Sequence, residues 1–233
     1  MHLPGYNDRR NKLTTYFDKT ASTAWQTLTS NSPVSRIRAT VRAGRDEMRA
    51  TLLAWLPEDL SGRTLVDAGC GTGALAIEAA KRGAEVFAID VAGSLIEAAR
   101  ERTPADLGEG SIEFVVGDML NDLPDKVDYV VAMDSLIHYD EADVLAVIER
   151  FARCARHKIL FTSAPWTPAL GLMHFVGGYL PNKKDRAPAI QPHKVDSLCR
   201  RIDGRLATAG WSTARSYRVS TGFYKSQAIE VTM

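Results

Sequence analysis

Residues 66–73, VDAGCGTG, combine a carboxylate with three closely spaced glycines. Asp67 comes two positions before Gly69, and Gly71 and Gly73 follow at intervals of two. Glycine-rich loops bring backbone N–H groups close to a ligand, and they commonly bind phosphate. A carboxylate at Asp67 would repel a phosphate, since the effective dielectric in such a crevice is below that of water. The spacing therefore favours a ligand that is positively charged where it meets this loop.

Two cofactors fit a glycine loop that is followed by a second acidic residue, Asp90. The segment Gly69-x-Gly71-x-x-Ala74 satisfies the loose dinucleotide pattern, and Asp90 lies at the distance expected for an acid that binds the ribose of NAD. S-adenosylmethionine also has a ribose, but it carries a sulfonium and an ammonium group and has no phosphate. Because Asp67 attracts that cationic end, the pattern favours S-adenosylmethionine over NAD.

Alternating strand and helix patterns begin at residue 64 and would position these groups. The pattern predicts strands at 64–68, 85–90, 112–118, 127–134 and 158–164, helices at 73–83, 94–102, 141–154 and 193–210, and two late strands at 211–220 and 223–233. This alternation is typical of a parallel sheet with helices on both faces, which binds ligands at the carboxyl ends of its strands. Four polar residues at or just beyond strand ends should therefore meet the glycine loop in one crevice: Asp90, Asp118, Asp134 and His138.

Local structural roles are alternatives for some of these residues. Asp90 could cap the helix that follows it, for which Ser94 is another candidate cap. Asp118 could begin a loop as an Asx residue. His138 could pack the turn between a strand and a helix.

A helical pattern precedes the sheet. Its apolar positions are Ile37, Val41, Met48 and Leu52, and arginines at 38, 42, 45 and 49 follow one position later. A basic stripe should therefore lie beside the apolar one, where it would meet an anionic group of a ligand, membrane or partner, or simply water. We divide the chain into an N-terminal helical arm, 1–60, and a domain at 61–233, with an inserted substrate-side loop at 165–193.

Composition excludes several classes of protein. The formal net charge of +1 gives no reason to expect nucleic acid as a partner. Cys70, Cys154 and Cys199 show no CxxC spacing, so the sequence predicts neither a disulfide framework nor a protein metal site, and a reducing cytoplasm is the expected setting. The start of the chain lacks the apolar segment of a secretory signal, and no apolar stretch is long enough to span a bilayer.

The order Asp-x-Gly-x-Gly-x-Gly after a first strand resembles motif I of the class I S-adenosylmethionine-dependent methyltransferases. This resemblance covers residues 63 to about 164 and implies a Rossmann-like α/β fold with a seven-stranded, mostly parallel sheet. Essentially the whole chain resembles the magnesium-protoporphyrin IX O-methyltransferase family of bacteriochlorophyll biosynthesis. Besides motif I, this resemblance rests on four segments: YFDKTASTAWQTLTS, VSRIRATVRAGRDEMRATLLAWL, GDML and MDSLIHYD. Those enzymes methylate a propionate carboxylate of magnesium protoporphyrin IX, so Mg²⁺ would enter only as part of the substrate.

The resemblance implies roles for residues around the crevice. His138 would be the catalytic residue, because a hydrogen bond from its ring could orient the propionate. Asp118 and Met119 would lie at the adenine. The full set implied for S-adenosylmethionine is Asp67, Gly69, Cys70, Gly71, Asp90, Val91, Asp118, Met119, Met133, Tyr16 and Trp25. The set implied for the acceptor is His138, Tyr139, Thr29 and Arg38.

The arm departs from the family pattern at one point. Family members carry a tyrosine shortly after the tryptophan, where this chain reads Leu28-Thr29-Ser30. An arm hydroxyl at the acceptor would then have to come from Tyr16 or Thr29.

Three other functions stay open at this level. They are methylation of another small hydrophobic acceptor, an NAD-dependent dehydrogenase, and a tetrapyrrole carrier without catalysis. The proposed acceptor is greasy, which makes peripheral contact with the inner or photosynthetic membrane an expectation, together with contact with a pathway partner such as magnesium chelatase.

Overall fold

The computed structural model describes residues 4–20, 36–166 and 189–233. In chain order the elements are α1 (Pro4–Thr15), a π-helical turn (Tyr16–Thr20), α2 (Arg36–Ala54), β1 (Thr64–Ala68), α3 (Ala74–Lys81), β2 (Glu85–Asp90), α4 (Gly93–Arg102), β3 (Ser111–Val116), β4 (Val127–Ala132), a 3₁₀ turn (Leu136–His138), α5 (Glu141–Cys154), β5 (Ala155–Ser163), α6 (Val195–Leu206), a second 3₁₀ turn (Ala207–Ala209), β6 (Ser212–Thr221) and β7 (Tyr224–Thr232). Trp25, Thr29 and most of the predicted loop at 165–193 lie outside the described residues.

The strands form one seven-stranded sheet in the order β3-β2-β1-β4-β5-β7-β6. Strands β1 to β5 are mutually parallel, whereas β7 is antiparallel to both β5 and β6. The predicted mostly parallel sheet is therefore confirmed. The strand order reverses between β1 and β4, because β2 lies on the other side of β1. A ligand crevice is expected at the carboxyl ends of β1 and β4.

Alternate residues of the central strands enter two hydrophobic cores on opposite faces of the sheet. Val66, Val130 and Ile159 pack on the face that carries α5 and α6. Leu65 and Val131 pack on the face that carries α2 and α3. Side chains alternate across a strand, so a sheet covered on both faces requires the nearly continuous apolar runs seen in this sequence.

The two N-terminal helices cover opposite faces of the sheet. Helix α2 buries Met48 and Leu52 beside α3, as its predicted apolar stripe requires. Helix α1 buries Tyr6 and Leu13 in the other core, while the residues around them are polar. Since α1 lacks a broad apolar face, specific polar contacts must contribute to its docking.

Strands β3 and β4 each end two residues earlier than the sequence pattern indicates. Strand β3 ends at Val116, and Asp118 instead begins an Asx turn in which the Leu120 amide donates to Oδ1 at 3.0 Å. Strand β4 ends at Ala132, because Asp134 adopts a left-handed backbone conformation with a φ of 55°. Both aspartates therefore lie in loops just beyond the strands.

The N-terminus of α4 is capped by the arm. The helix begins at Gly93, so Ser94 lies inside the first turn and is not the cap. Its amide and hydroxyl donate to Asp18 Oδ1 at 3.1 and 2.9 Å. Asp18 belongs to the π-helical turn, so a side chain distant in sequence satisfies the end of this helix.

Across the described ranges, no helix is long and apolar enough to cross a membrane. The same ranges contain no group of three or more histidine, cysteine, aspartate or glutamate side chains that could hold a metal ion.

Candidate active site

Asp67 lies at the end of β1 with its carboxylate inside the protein. It is 1% exposed, and it accepts a hydrogen bond from the Ala76 amide in the first turn of α3. Its Oδ2 has no hydrogen-bond partner among the described residues. The pKa of Asp67 is raised to about 7, mainly by burial and to a lesser extent by the nearby Asp90, against the opposing effect of the Ala76 amide. The buried oxygen without a partner is suited to a cationic ligand.

The glycine loop after β1 approaches the turn after β4 closely. Gly69 has a φ of 76°, and a Cβ built on it would lie 2.3 Å from the Cβ of Ser135. Only glycine fits this position, because both the conformation and the space exclude a side chain. Ser135 Oγ is also buried and has no hydrogen-bond partner among the described residues.

Asp90 ends β2 and holds the glycine loop in place. Its Oδ2 accepts from the Gly71 amide and its Oδ1 from the Ala92 amide, each at 2.9 Å. Burial raises the pKa of Asp90, and Asp18 of the arm adds to this effect against the backbone hydrogen bonds. A carboxylate offers about four acceptor positions, so Asp90 retains capacity for a ribose hydroxyl.

Asp118 is held by the arm. Tyr6 donates its hydroxyl to Oδ1, and Arg10 Nη1 donates to Oδ2 at 2.9 Å. The Leu120 amide and the Asn121 side chain also donate, at 3.0 and 2.8 Å. These four donors match the roughly four acceptor positions of a carboxylate. An adenine amine would therefore have to replace one of them, and the predicted adenine role of Asp118 stays a prediction.

His138 ends the 3₁₀ turn that follows β4. Its backbone carbonyl accepts from Arg9 Nη1 of α1 at 2.7 Å, and its ring lies edge-on to Phe17 with centroids 6.5 Å apart. Tyr139, the next residue, is 2% exposed and stacks on Tyr6 with ring centroids 4.8 Å apart. The N-terminal segment thus contacts the backbone of this turn through Arg9, the His138 ring through Phe17 and the Tyr139 ring through Tyr6.

The remaining predicted residues divide between this crevice and the surface. Met119 and Met133 are buried, Cys70 and Val91 are half-buried beside the glycine loop and β2, and Tyr16 packs edge-on against Phe17. Arg38 lies exposed near the start of α2. Of the predicted arginine stripe, Arg45 pairs with Asp134 inside the protein, at 2.6 Å.

Four functional candidates were missed from the sequence: Tyr6, Arg10, Asp18 and Ser135. The first three come from an arm segment without apolar periodicity, so no pattern could have placed them at Asp118 and Ser94. Ser135 lies within MDSLIHYD, and only its place just after β4 indicates the crevice.

Comparisons with known proteins bear on this site. A family model described as magnesium-protoporphyrin IX methyltransferase C-terminus matches residues 132–233, and a methyltransferase-domain model matches residues 65–158. The chain is 42% identical over 226 residues to the magnesium-protoporphyrin O-methyltransferase of Rhodobacter capsulatus, covering 97% of each. It is 30% identical to that of Synechocystis sp., covering 92% of each.

A crystal structure gives the same result for the fold. The magnesium protoporphyrin IX methyltransferase from Synechocystis PCC 6803 with bound SAH matches with a TM-score of 0.84 and 29% identity, covering 97% of this chain and 99% of that one. The predicted class I methyltransferase fold is confirmed.

Proposed function

The chain belongs to the magnesium-protoporphyrin O-methyltransferase family, and from this premise we propose that it methylates a propionate carboxylate of magnesium protoporphyrin IX. The methyl donor is S-adenosylmethionine, and the product is the monomethyl ester formed in chlorophyll or bacteriochlorophyll biosynthesis. The observation that carries the proposal is 42% identity over 97% of both chains, joined to a site in which the buried Asp67 Oδ2, without a partner among the described residues, suits a cation.

The donor site fits S-adenosylmethionine in three respects. Gly69 lets the glycine loop pack against the turn after β4, Asp67 offers a buried negative charge to the sulfonium and ammonium end, and Asp90 has acceptor capacity for a ribose. A pyrophosphate would meet the buried carboxylate of Asp67, which is unfavourable at a low effective dielectric.

The chemistry needs alignment more than a general base. A propionic acid with a pKa near 4 to 5 is already ionised at neutral pH. When bound, the donor supplies an electrophilic methyl group: the carboxylate oxygen forms a bond to that carbon while the carbon–sulfur bond breaks, leaving its electron pair on sulfur. Opposite charges cancel in this step, so removing water from the site favours it.

This chain's own residues meet those two requirements. Arg9 and Phe17 hold the turn that carries His138, whose ring we assign to orienting the acceptor carboxylate. Tyr6 is 1% exposed, and Tyr6 and Arg10 both bind the Asp118 carboxylate, which holds helix α1 against the sheet. The arm therefore excludes water above the donor site.

Several finer predictions extend this proposal. Arg38 would meet the second propionate, and Tyr139 and Thr29 would contact the acceptor. The division at residue 60 into arm and domain, contact with a membrane surface and contact with magnesium chelatase also stay predictions. The residue contacts would add to acceptor binding, and the membrane and chelatase contacts would affect where the protein acts; none of them would change the reaction.

The test is incubation of the protein with S-adenosylmethionine and magnesium protoporphyrin IX, followed by mass spectrometry. A gain of one methyl group on the pigment is expected, and calorimetry should show tighter binding of S-adenosylmethionine than of NAD. Turnover of an unrelated acid alone would refute the acceptor assignment. Donor binding with no product would instead indicate a carrier.

A further inference from the structure

Asp134 has an unusual backbone. Among residues 4–20, 36–166 and 189–233 it is the one non-glycine residue with a positive φ, 55°. The left-handed conformation costs an L-residue on the order of 1–2 kcal/mol, although aspartate tolerates it better than most. Such strain persists when surrounding contacts enforce it, and it is common at functional sites.

The side chain of Asp134 supplies those contacts. Its carboxylate is 4% exposed and joins three elements: Arg45 of α2 at 2.6 Å, the Tyr224 hydroxyl of β7 at 2.9 Å and the Thr162 hydroxyl of β5 at 3.3 Å. Ser226 of β7 adds a longer contact at 3.4 Å. The Asp134 amide donates to Thr162 Oγ1 at 2.7 Å, so backbone and side chain are fixed together.

The left-handed turn determines where the next residues lie. Ser135 follows at once and packs into the space left by the missing side chain of Gly69. The 3₁₀ turn Leu136–His138 then begins, two residues after Asp134. A rotation of the Asp134 backbone would therefore displace His138 relative to the glycine loop.

We propose that Asp134 is a positioning residue for the methyl transfer, acting through His138, and that its pair with Arg45 joins helix α2 to the catalytic turn. This inference rests on the proposed function, because it assigns His138 to the acceptor. Arg45 neutralises the buried carboxylate, Tyr224 and Thr162 set its direction, and the turn is held where the His138 ring meets the propionate.

A buried aspartate on β4, the strand that precedes Asp134, provides a matched control. Asp128 lies near the start of β4, at the amino ends of the parallel strands, is 6% exposed, and accepts from the Thr64 amide at 2.9 Å. Arg156 lies 3.6 Å away from its other oxygen. Asp128 is thus also a buried, hydrogen-bonded carboxylate with an arginine nearby, but it is remote from the crevice.

The experiment compares Asp134→Asn with Asp128→Asn. Asparagine tolerates a positive φ, so Asp134→Asn removes the charge while keeping the backbone accessible. We expect kcat to fall about tenfold in Asp134→Asn, the change that corresponds to losing part of a charged hydrogen-bond network. Asp128→Asn should keep kcat within about twofold even where both variants lower the thermal midpoint.

A double-mutant cycle separates positioning from stability. In a His138→Ala background, Asp134→Asn should cost less than about twofold, because the residue through which it acts is gone. A tenfold loss that persists in this background would overturn the inference, as would equal kcat losses in the Asp134 and Asp128 variants. If Asp134→Asn does not fold, Tyr224→Phe removes one donor of the same network and takes its place.

A readout without turnover keeps this inference distinct from the proposed function. In ¹⁵N-histidine-labelled protein, the His138 ring resonance, assigned with His138→Ala, should shift in Asp134→Asn and stay in place in Asp128→Asn. A wild-type protein that makes no methyl ester would refute the proposed function, while an unmoved His138 resonance would refute the positioning role.

Discussion

The hydroxyl of Tyr6 should control how often helix α1 leaves the protein surface. Tyr6 is 1% exposed and donates to Asp118 Oδ1, and burial raises its pKa, so the hydroxyl stays protonated as a donor. Tyr6→Phe removes this bond and leaves the stacking on Tyr139 in place. Docking should weaken while the sheet stays folded.

The structure sets the size of the effect. A hydrogen bond to a charged group contributes about 1.5–3 kcal/mol. After the substitution, Asp118 Oδ1 still accepts from the Leu120 amide, and Arg10 and Asn121 still donate to Oδ2. No unpaired buried charge is left, so the loss should lie near the lower value of about 1.5 kcal/mol, which is roughly a tenfold increase in undocking.

Hydrogen–deuterium exchange of the α1 amides measures that undocking, because the exchange rate follows the population of the open state. We expect these amides to exchange about tenfold faster in Tyr6→Phe. Tyr217→Phe is the matched control: its hydroxyl also donates to a carboxylate, Glu47, but at 3.4 Å on a residue that is 48% exposed. Wild-type exchange in Tyr6→Phe, or equal acceleration in Tyr217→Phe, would refute the reasoning.

Three further predictions concern the crevice itself. His138→Ala should lower kcat about 10- to 100-fold, the loss of a hydrogen bond to a charged group, with the calorimetric Kd for S-adenosylmethionine unchanged; a wild-type kcat would remove His138 from the mechanism. Gly69→Ala should lower the free energy of unfolding in urea by at least 1 kcal/mol more than Gly108→Ala, at about the overpacking cost, because Gly108 has a similar φ of 68° but open space around it. Between pH 3.8 and about pH 7, the carboxyl of Asp67 is protonated in the folded protein and ionised in the unfolded chain. Its contribution to the free energy of unfolding therefore declines as pH rises through this range and is lowest above pH 7. Relative to Asp67→Asn, wild type should therefore lose about 2 kcal/mol between pH 5.5 and pH 8 in urea unfolding, and a constant difference would contradict the burial argument.

The sheet was predictable because its determinants are local. The run TLVDA is a short apolar run typical of a buried parallel strand, the helix after the glycine loop shows an apolar period of about 3.6, and each could be assigned without knowing its neighbours. The convergence of Asp90, Asp118 and His138 followed from the rule that parallel strands present their carboxyl ends together. These predictions needed no information about specific side-chain partners.

Helix α1 and the π-helical turn after it could not be predicted in this way. Helix α1 buries Tyr6 and Leu13 and is otherwise polar, so its position depends on contacts with residues more than a hundred positions away, such as Asp118. The cap of α4 came from Asp18, 76 residues before Ser94. A pairing between distant polar residues leaves no periodic signal in a single sequence.

Asp67, the acid before the glycine loop, has two physical roles with opposite effects on the free energy of the ligand-free protein. As a partner for the Ala76 amide, Asp67 fixes the first turn of α3, and a neutral acceptor would do this at a lower desolvation cost. As a buried carboxylate with one open oxygen, it raises the free energy of the ligand-free site. A cation beside the loop removes that cost, because an opposite charge favours the ionised form, whereas a phosphate would increase it. We therefore expect the same burial that makes Asp67 costly in the free protein to make the loop selective for a sulfonium donor over a dinucleotide.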